Sequence, residues 1–263
     1  RQERKAMIVI DKLCYQSKLR YVNASEKFVY AVLTLALCVI SRSGLTAAVV
    51  FFVNVWLTVA KGGIPFARYL KLLLIPAAFL LVSTIALVVN LSRTPLDAFA
   101  FPLGEWYLTG SVSSVLEGLR LCGKAFAAVT CLYFLSLTTV MTDILGVLKK
   151  LHVPGLIIEL MMLIYRFIFL LMETASAITT SQNSRLGNRD YRTRLRSFGG
   201  MGSALLVRSI KRSGVLYDAM EARCYDGELK VLSEERPAEK KEILCIAGYE
   251  AVLLGMVIWS WIR

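Results

Sequence analysis

Long uninterrupted apolar runs constrain this 263-residue chain more than any other feature of its sequence. A run of about 20 apolar residues is long enough to cross the hydrocarbon core of a bilayer as an α-helix. Segments that reach or approach this length are 28–41, 45–60, 69–91, 117–137 and 243–262. Hydrophobic residues make up 56% of the chain, which exceeds the roughly 45–50% typical of soluble domains. We therefore predict an all-α membrane protein with about five transmembrane helices.

The charges that flank these runs predict their orientation. Seven Lys and Arg residues precede the first run, Lys61 and Arg68 lie between the second and third runs, and Lys71 lies at the start of the third run. By contrast, the turn after the first run and the loop 92–116 hold one cation each, Arg42 and Arg93. Cytoplasmic loops carry the excess of Lys and Arg in membrane proteins. The pattern predicts a multi-pass membrane protein with its N-terminus in the cytoplasm.

A sixth apolar stretch, 156–178, is also long enough to span a membrane. If it crossed, the segment 182–223 would lie outside, although it holds nine Lys and Arg residues against three acids. Moreover, Glu159, Arg166 and Glu173 recur every seven residues, so a helix places them on one stripe. Charged side chains at membrane depth are costly, whereas an interfacial or protein-covered helix accommodates them. We predict that this helix remains on the cytoplasmic side.

These assignments predict five consecutive regions. They are a cytoplasmic basic segment 1–27, a four-helix transmembrane region 28–137, a subdomain of cytoplasmic amphipathic helices 138–227, a connector 228–242 and a final transmembrane helix 243–263. Apolar periodicity within the subdomain predicts helices of about 155–185 and 203–224. A basic linker and a cluster of glycines would separate the two helices. Gly187 and Gly227 follow them, which predicts glycine C-caps.

Two short arginine motifs close the predicted cytoplasmic helices. The first is Ser184-Arg185-Leu186-Gly187, and the second is the stretch 221–227 that contains Ala222-Arg223-Cys224-Tyr225. Each motif places an arginine at a helix end beside a turn. The membrane spans carry no comparable concentration of functional groups, so we expect the two arginines and the surface around them to carry the function.

Other chemistry is excluded by composition and spacing. The segment 118–124 matches the first seven positions of a phosphate-binding loop, but Ala125 replaces the required Ser or Thr. His152 is the only histidine, and the six cysteines form no CxxC pair, so we predict no catalytic and no metal site. The basic segment 182–223 could bind nucleic acid or anionic lipid headgroups. With a bilayer nearby, we expect lipid contact and no nucleic acid partner.

The arginine motifs resemble those of the T component, the transmembrane scaffold, of energy-coupling factor (ECF) transporters. Its hallmark is a pair of Ala-Arg-Gly-like motifs at the ends of two cytoplasmic coupling helices. Both arginines are kept here, although Ser184 replaces Ala, and Leu186 and Cys224 replace Gly. Further similar stretches are Leu137-Thr138-Thr139, Leu151-His152-Val153-Pro154 and the run 159–173. The similarity covers nearly the whole chain. Residues 10–20, near the start of the chain, are similar to the cobalt-type branch of this family.

The resemblance implies a location in the bacterial cytoplasmic (inner) membrane, a mechanism and a set of site residues. Two ATP-binding-cassette ATPase subunits would each offer a groove to one coupling-helix end, and a membrane subunit would capture cobalt or nickel. The ATPase contact would comprise Ser184, Arg185, Leu186, Gly187, Ala222, Arg223, Cys224 and Tyr225, supported by Arg166, Glu173 and Glu221. The chain itself would be non-catalytic and bind no cofactor, because ATP and magnesium would sit on the ATPases.

Two alternatives remain open at this point. The same scaffold could serve a vitamin-specific capture subunit, because no residue of this chain identifies the transported substrate. A more remote alternative is a membrane-embedded enzyme that acts on lipids or prenyl chains. Such an enzyme should show clustered acids, histidines or serines in its spans, and the sequence offers none.

Overall fold

A computed structural model describes residues 13–41, 43–88, 90–92, 99–103, 106–110, 112–227 and 240–262. The chain divides into two compact units, Arg1–Ile144 with Glu234–Arg263 (unit 1) and Leu145–Ser233 (unit 2). Most of the predicted connector, up to residue 239, lies outside the described residues. The same holds for the first 12 residues of the predicted basic segment and for Arg42 and Arg93.

Helices dominate the described part of the chain. The α-helices are α1 Ala24–Ile40, α2 Gly44–Trp56, α3 Phe66–Val88, α4 Val112–Thr138, α5 Met141–Lys150, α6 Gly155–Ser184, α7 Tyr191–Glu221 and α8 Lys240–Ile262. A 3-10 turn, Lys18–Tyr21, precedes α1, and a π-helical segment, Leu57–Lys61, extends α2. Unit 1 contains α1 to α4 and α8, unit 2 contains α6 and α7, and α5 links the two along the chain.

Five of the described helices are long and apolar enough to cross a membrane, which confirms the predicted fold class. They are α2 with its extension, α3, α4, α6 and α8. The set differs from the predicted one because α6 qualifies and α1 does not. Helix α1 has 17 residues, which corresponds to about 26 Å and is slightly short of the roughly 30 Å hydrocarbon core.

Side-chain contacts order the helices of unit 1. Helices α1 and α8 run parallel, because Tyr30 packs on Tyr249 and the Thr34 hydroxyl bonds to Glu250 at 2.6 Å. Farther along both helices, Cys38 shares a buried cluster with Leu253. Helix α4 runs antiparallel to α1, since Tyr30 also packs edge-on against Phe134 near the end of α4. The start of α1, the end of α4 and the start of α8 therefore lie at the same end of unit 1.

Buried Lys27 joins the elements at this end. Its side chain is 3% exposed, and its ammonium donates to the carbonyl oxygens of Leu19 at 3.0 Å and Thr138 at 2.9 Å. The Thr138 carbonyl closes α4, where the partial negative charge of the helix dipole favours a cation. One cation therefore connects the segment before α1 to the end of α4. Thr138 follows Lys27 by 111 residues.

Replacing this lysine should weaken unit 1. In Lys27→Met, the Thr138 carbonyl loses its side-chain donor, whereas Leu19 O keeps the N–H of Val22. A buried acceptor without a partner costs about 1–3 kcal/mol. We expect a lower melting temperature of the purified protein in detergent, measured by thermal unfolding. Lys71→Met is the matched control, because Lys71 is an exposed residue of α3. Equal melting temperatures for both variants would contradict this role.

The opposite end of unit 1 holds a small sheet that the sequence did not predict. Strands β1 Asn90–Ser92, β2 Phe99–Leu103 and β3 Trp106–Gly110 pair antiparallel in the order β1-β3-β2. They occupy the connection between α3 and α4, which was expected to be a plain loop. Helix α4 begins directly after the sheet, at Val112, which is earlier than the predicted span.

Unit 2 contains two long helices that run antiparallel. Gln182 of α6 donates from its amide to the Ser197 carbonyl at 2.8 Å, and the Thr179 hydroxyl lies 3.4 Å from the Met201 sulfur. The prediction that the second helix starts near residue 203 was wrong, because α7 begins at Tyr191. Each glycine inside a helix lowers its stability by about 1 kcal/mol. Helix α7 nevertheless continues through Gly199, Gly200 and Gly202, since the stretch that contains them packs on α6.

Candidate functional site

The first arginine motif forms a hydrogen-bonded cap at the end of α6. The N–H of Arg185 donates to Gln182 O at 3.2 Å, and the N–H of Leu186 donates to Asn183 O at 3.2 Å. Leu186 adopts the left-handed conformation, with φ of 58°. This reversal lets the N–H of Gly187 reach back to Gln182 O at 2.7 Å. A left-handed residue followed by a bond spanning five residues is the Schellman ending of a helix.

The second arginine motif repeats the same backbone arrangement after α7. The N–H of Arg223 donates to Met220 O at 3.0 Å, and the N–H of Cys224 donates to Glu221 O at 2.9 Å. Cys224 has φ of 59°, and the N–H of Tyr225 returns to Met220 O at 3.1 Å. The two motifs are therefore equivalent in hydrogen bonding and in the position of the arginine. We call them the Arg185 cap and the Arg223 cap.

The prediction that Gly187 and Gly227 form the C-caps was wrong, because other residues adopt the left-handed conformation in both caps. Leu186 and Cys224 occupy the left-handed positions, where a glycine would be free of steric cost. Gly187 comes one residue later and does not have a positive φ. Its lack of a side chain serves a close approach, because a Cβ there would lie 2.9 Å from Gln182 O and 3.0 Å from Ser197 Oγ. Gly227 does have a positive φ but lies beyond the Arg223 cap.

Replacing the left-handed residue Cys224 with glycine should relieve backbone strain and stabilise the Arg223 cap. The left-handed conformation costs an L-residue with a Cβ about 1–2 kcal/mol. Cys224→Gly should therefore slow amide hydrogen exchange at 222–227. The control is Cys245→Gly, because Cys245 is also exposed but lies inside α8, where glycine weakens a helix by about 0.5–1 kcal/mol. Faster exchange around the second cap in Cys224→Gly would refute the assigned conformation.

Both cap arginines are exposed, and α7 separates them. Arg185 precedes α7 by six residues, and Arg223 follows it by two. Helix α7 has 31 residues, so it is about 46 Å long at 1.5 Å per residue. Each arginine sits at a helix C-terminus, where its charge offsets the helix dipole and its planar fork faces solvent. The arrangement offers two separate, equivalent cationic contacts rather than one binding pocket.

Each cap is tied to the other helix of the pair. In the Arg185 cap, the carbonyl of Gly187 accepts from Ser197 Oγ of α7 at 2.7 Å. In the Arg223 cap, the Tyr225 hydroxyl donates to Glu159 Oε2 of α6 at 2.6 Å. This bond, burial and nearby negative charge raise the pKa of Tyr225 to about 12. Deprotonation would remove the hydrogen bond to Glu159 and place a phenolate beside a carboxylate.

Comparison with known proteins identifies the family. The family described as CbiQ, cobalt transport protein, matches residues 16–232, which include both arginine caps. The chain belongs to the CbiQ family. It is 32% identical over 247 residues to the cobalt transport protein CbiQ of Rhodobacter capsulatus, and the match covers 94% of this chain and 96% of that protein.

Other relatives extend the CbiQ family assignment. An uncharacterized protein of Methanocaldococcus jannaschii is 30% identical over 94% of this chain and 91% of its own length. The energy-coupling factor transporter transmembrane protein EcfT of Staphylococcus aureus is 27% identical over 60% of this chain and 61% of its own. This CbiQ-family chain is therefore a multi-pass membrane component of the cobalt and ECF transporter type, as the resemblance implied.

The remaining predicted site residues of this CbiQ-family chain lie along α6 and α7. Ser184 and Glu221 are the last residues of these helices, and Ala222 follows Glu221. Arg166 and Glu173 are exposed on α6, and their supporting role stays a prediction. Among the described residues, no group of His, Cys, Asp and Glu is arranged to hold a metal ion.

Sequence reasoning missed the residues that hold the caps. Glu159 appeared in a charged stripe and in a stretch of family similarity, but not as a partner of a cap; it is 7% exposed and accepts the Tyr225 hydroxyl. Ser197 was not singled out at all. A buried acid in an otherwise apolar helix was the available signal for Glu159, because such a group needs a partner. Nothing in the local sequence indicated Ser197.

Proposed function

We propose that this CbiQ-family chain is the non-catalytic scaffold of an ATP-driven importer. It would couple hydrolysis by two ATPase subunits to movement of a membrane subunit that captures cobalt or nickel. The observation that carries the proposal is the equivalence of the Arg185 and Arg223 caps at the two ends of α7. A dimeric ATPase presents the same surface twice because of its twofold symmetry. Two equivalent contacts on a single chain match such a partner.

The chemistry of the caps suits a reversible protein contact. An exposed arginine stays charged and can bind a carboxylate with two parallel hydrogen bonds. Its backbone is held by the cap, so little conformational freedom is lost when a partner groove closes on it. ATP and magnesium would be bound by the ATPase subunits, and we assign no cofactor to this chain. The named relatives are transport components, which agrees with a non-catalytic role.

The arrangement of unit 1 supports a cytoplasmic position for both caps. Helix α4 ends and α8 begins at the same end of unit 1, so the chain between them crosses the membrane an even number of times. A single crossing by α6 does not meet this condition. The excess of cations in 182–223 further supports the cytoplasmic side. We therefore propose that α6 lies along the cytoplasmic side and that the N-terminus is cytoplasmic as well.

An uptake experiment in a bacterial host that lacks its own cobalt and nickel importers tests the proposal. The chain is expressed with the ATPase and capture-subunit genes from its own genome, and accumulation of radioactive cobalt is measured. We expect accumulation only when the chain and a hydrolysis-competent ATPase are both present, and both should co-purify. Accumulation without the chain, or failure of the ATPase to co-purify, would overturn the proposal. Labelled vitamins in place of cobalt test the vitamin alternative.

A further inference from the structure

Tyr225 has two roles in the Arg223 cap. Its backbone N–H closes the cap on Met220, and its side-chain hydroxyl donates to Glu159, which is 66 residues earlier in the chain. Glu159 lies in the second turn of α6, and its side chain is 7% exposed. A carboxylate buried this far has few other positions available. The hydrogen bond therefore holds Tyr225, and with it the backbone of the cap that carries Arg223, two residues earlier.

The two caps depend on different kinds of contact with the opposite helix. The Arg185 cap is held through a backbone carbonyl, that of Gly187, and is only ten residues from its partner Ser197. The Arg223 cap is held through a bond between two side chains at 2.6 Å. The bond can be deleted at the hydroxyl while the backbone and the arginine stay unchanged. The Arg223 cap is therefore the one whose anchoring can be tested separately.

We propose that the Tyr225–Glu159 hydrogen bond is a positioning contact that transmits force from the Arg223 cap to α6. The inference rests on the proposed function, in which an ATPase subunit moves each cap. With the bond in place, displacement of Arg223 moves the start of α6 together with the end of α7. Without it, the end of α7 loses its hydrogen bond to the start of α6, and the contacts at Gln182 and Met201 lie at the far end of the pair.

The variant Tyr225→Phe tests this role in the complete transporter complex. It keeps the ring and the backbone cap but removes the donor, and a hydrogen bond to a charged group is worth roughly a tenfold change in an equilibrium. We expect cobalt transported per ATP hydrolysed, measured on the assembled complex, to fall about 3- to 10-fold. In the purified chain, amides 222–227 should exchange faster, and amides 185–190 should serve as an internal standard.

Four further variants make the test specific. Adding Tyr225→Phe to Glu159→Leu in the double variant should cause no further loss, because the Tyr225–Glu159 bond is already absent. Glu159→Gln retains an acceptor oxygen and should lose less. Tyr191→Phe is the matched control, since Tyr191 is 79% exposed at the start of α7, and it should behave as the wild type.

Several outcomes would overturn the positioning role. One is an unchanged transport-to-hydrolysis ratio together with unchanged exchange at 222–227 in Tyr225→Phe. Another is complete loss of ATPase co-purification in that variant, which would make Tyr225 a direct ATPase contact. Failure of the proposed function has a separate signature, because charge reversal at Arg223 would then leave ATPase binding and uptake intact.

Discussion

Charge reversal at either arginine cap is expected to abolish cobalt uptake. In Arg185→Glu or Arg223→Glu, a carboxylate would replace the guanidinium at the point where the partner groove is expected to supply carboxylates. Loss of one member of a buried, hydrogen-bonded charge pair costs about 2–5 kcal/mol, and like-charge repulsion adds to that cost. We therefore expect ATPase binding to weaken at least about 30-fold. Cobalt accumulation in cells and ATPase co-purification are the measurements.

The matched control for charge reversal is Arg208→Glu. Arg208 is an exposed arginine in the middle of α7, so the variant changes the net charge of the same helix by the same amount. It should leave uptake near the wild-type level. The prediction is contradicted if the double variant of Arg185 and Arg223 retains normal uptake and normal ATPase co-purification. It is also contradicted if the control is as defective as the cap variants, because bulk charge would then explain the loss.

Adding one methyl group at Gly187 should cut uptake about tenfold, because it forces open the Arg185 cap. The Cβ of Gly187→Ala would lie 2.9 Å from Gln182 O, and that oxygen belongs to the backbone and cannot rotate away. The same Cβ would press on Ser197 Oγ, the donor that ties the cap to α7. Overpacking of this kind costs about 1–3 kcal/mol. Cobalt uptake and amide exchange at 185–190 measure the effect.

The same substitution at Gly200 should have the opposite effect on stability. Gly200 lies inside α7, and a Cβ there would meet nothing within 4 Å. Alanine is favoured over glycine in a helix interior by about 1 kcal/mol, so Gly200→Ala should preserve uptake and raise the melting temperature. Equal effects of the two substitutions would show that the Arg185 cap has room for a side chain. That result would remove the reason given for glycine at this position.

Local patterns predicted the helices better than they predicted the helix ends. The long apolar runs identified α3, α4 and α8, because membrane-spanning length is a property of contiguous residues. The start of α7 was misplaced, since three glycines near residue 200 suggested a break that contacts with α6 override. The capping residues were also misassigned. Leu186 and Cys224 have no intrinsic preference for a left-handed backbone, so composition pointed to the glycines that follow.

The sequence by itself determined the membrane class, most of the long apolar helices and the two arginine motifs. These features depend on composition, charge and short spacing, all of which can be read within one segment. Only the tertiary structure showed that the two caps are equivalent and that each is held by the opposite helix. It alone paired Tyr225 with Glu159, 66 residues away, and Thr34 with Glu250, 216 residues away. Such pairs form because buried polar groups need partners, and the packing of whole helices decides which partner comes within reach.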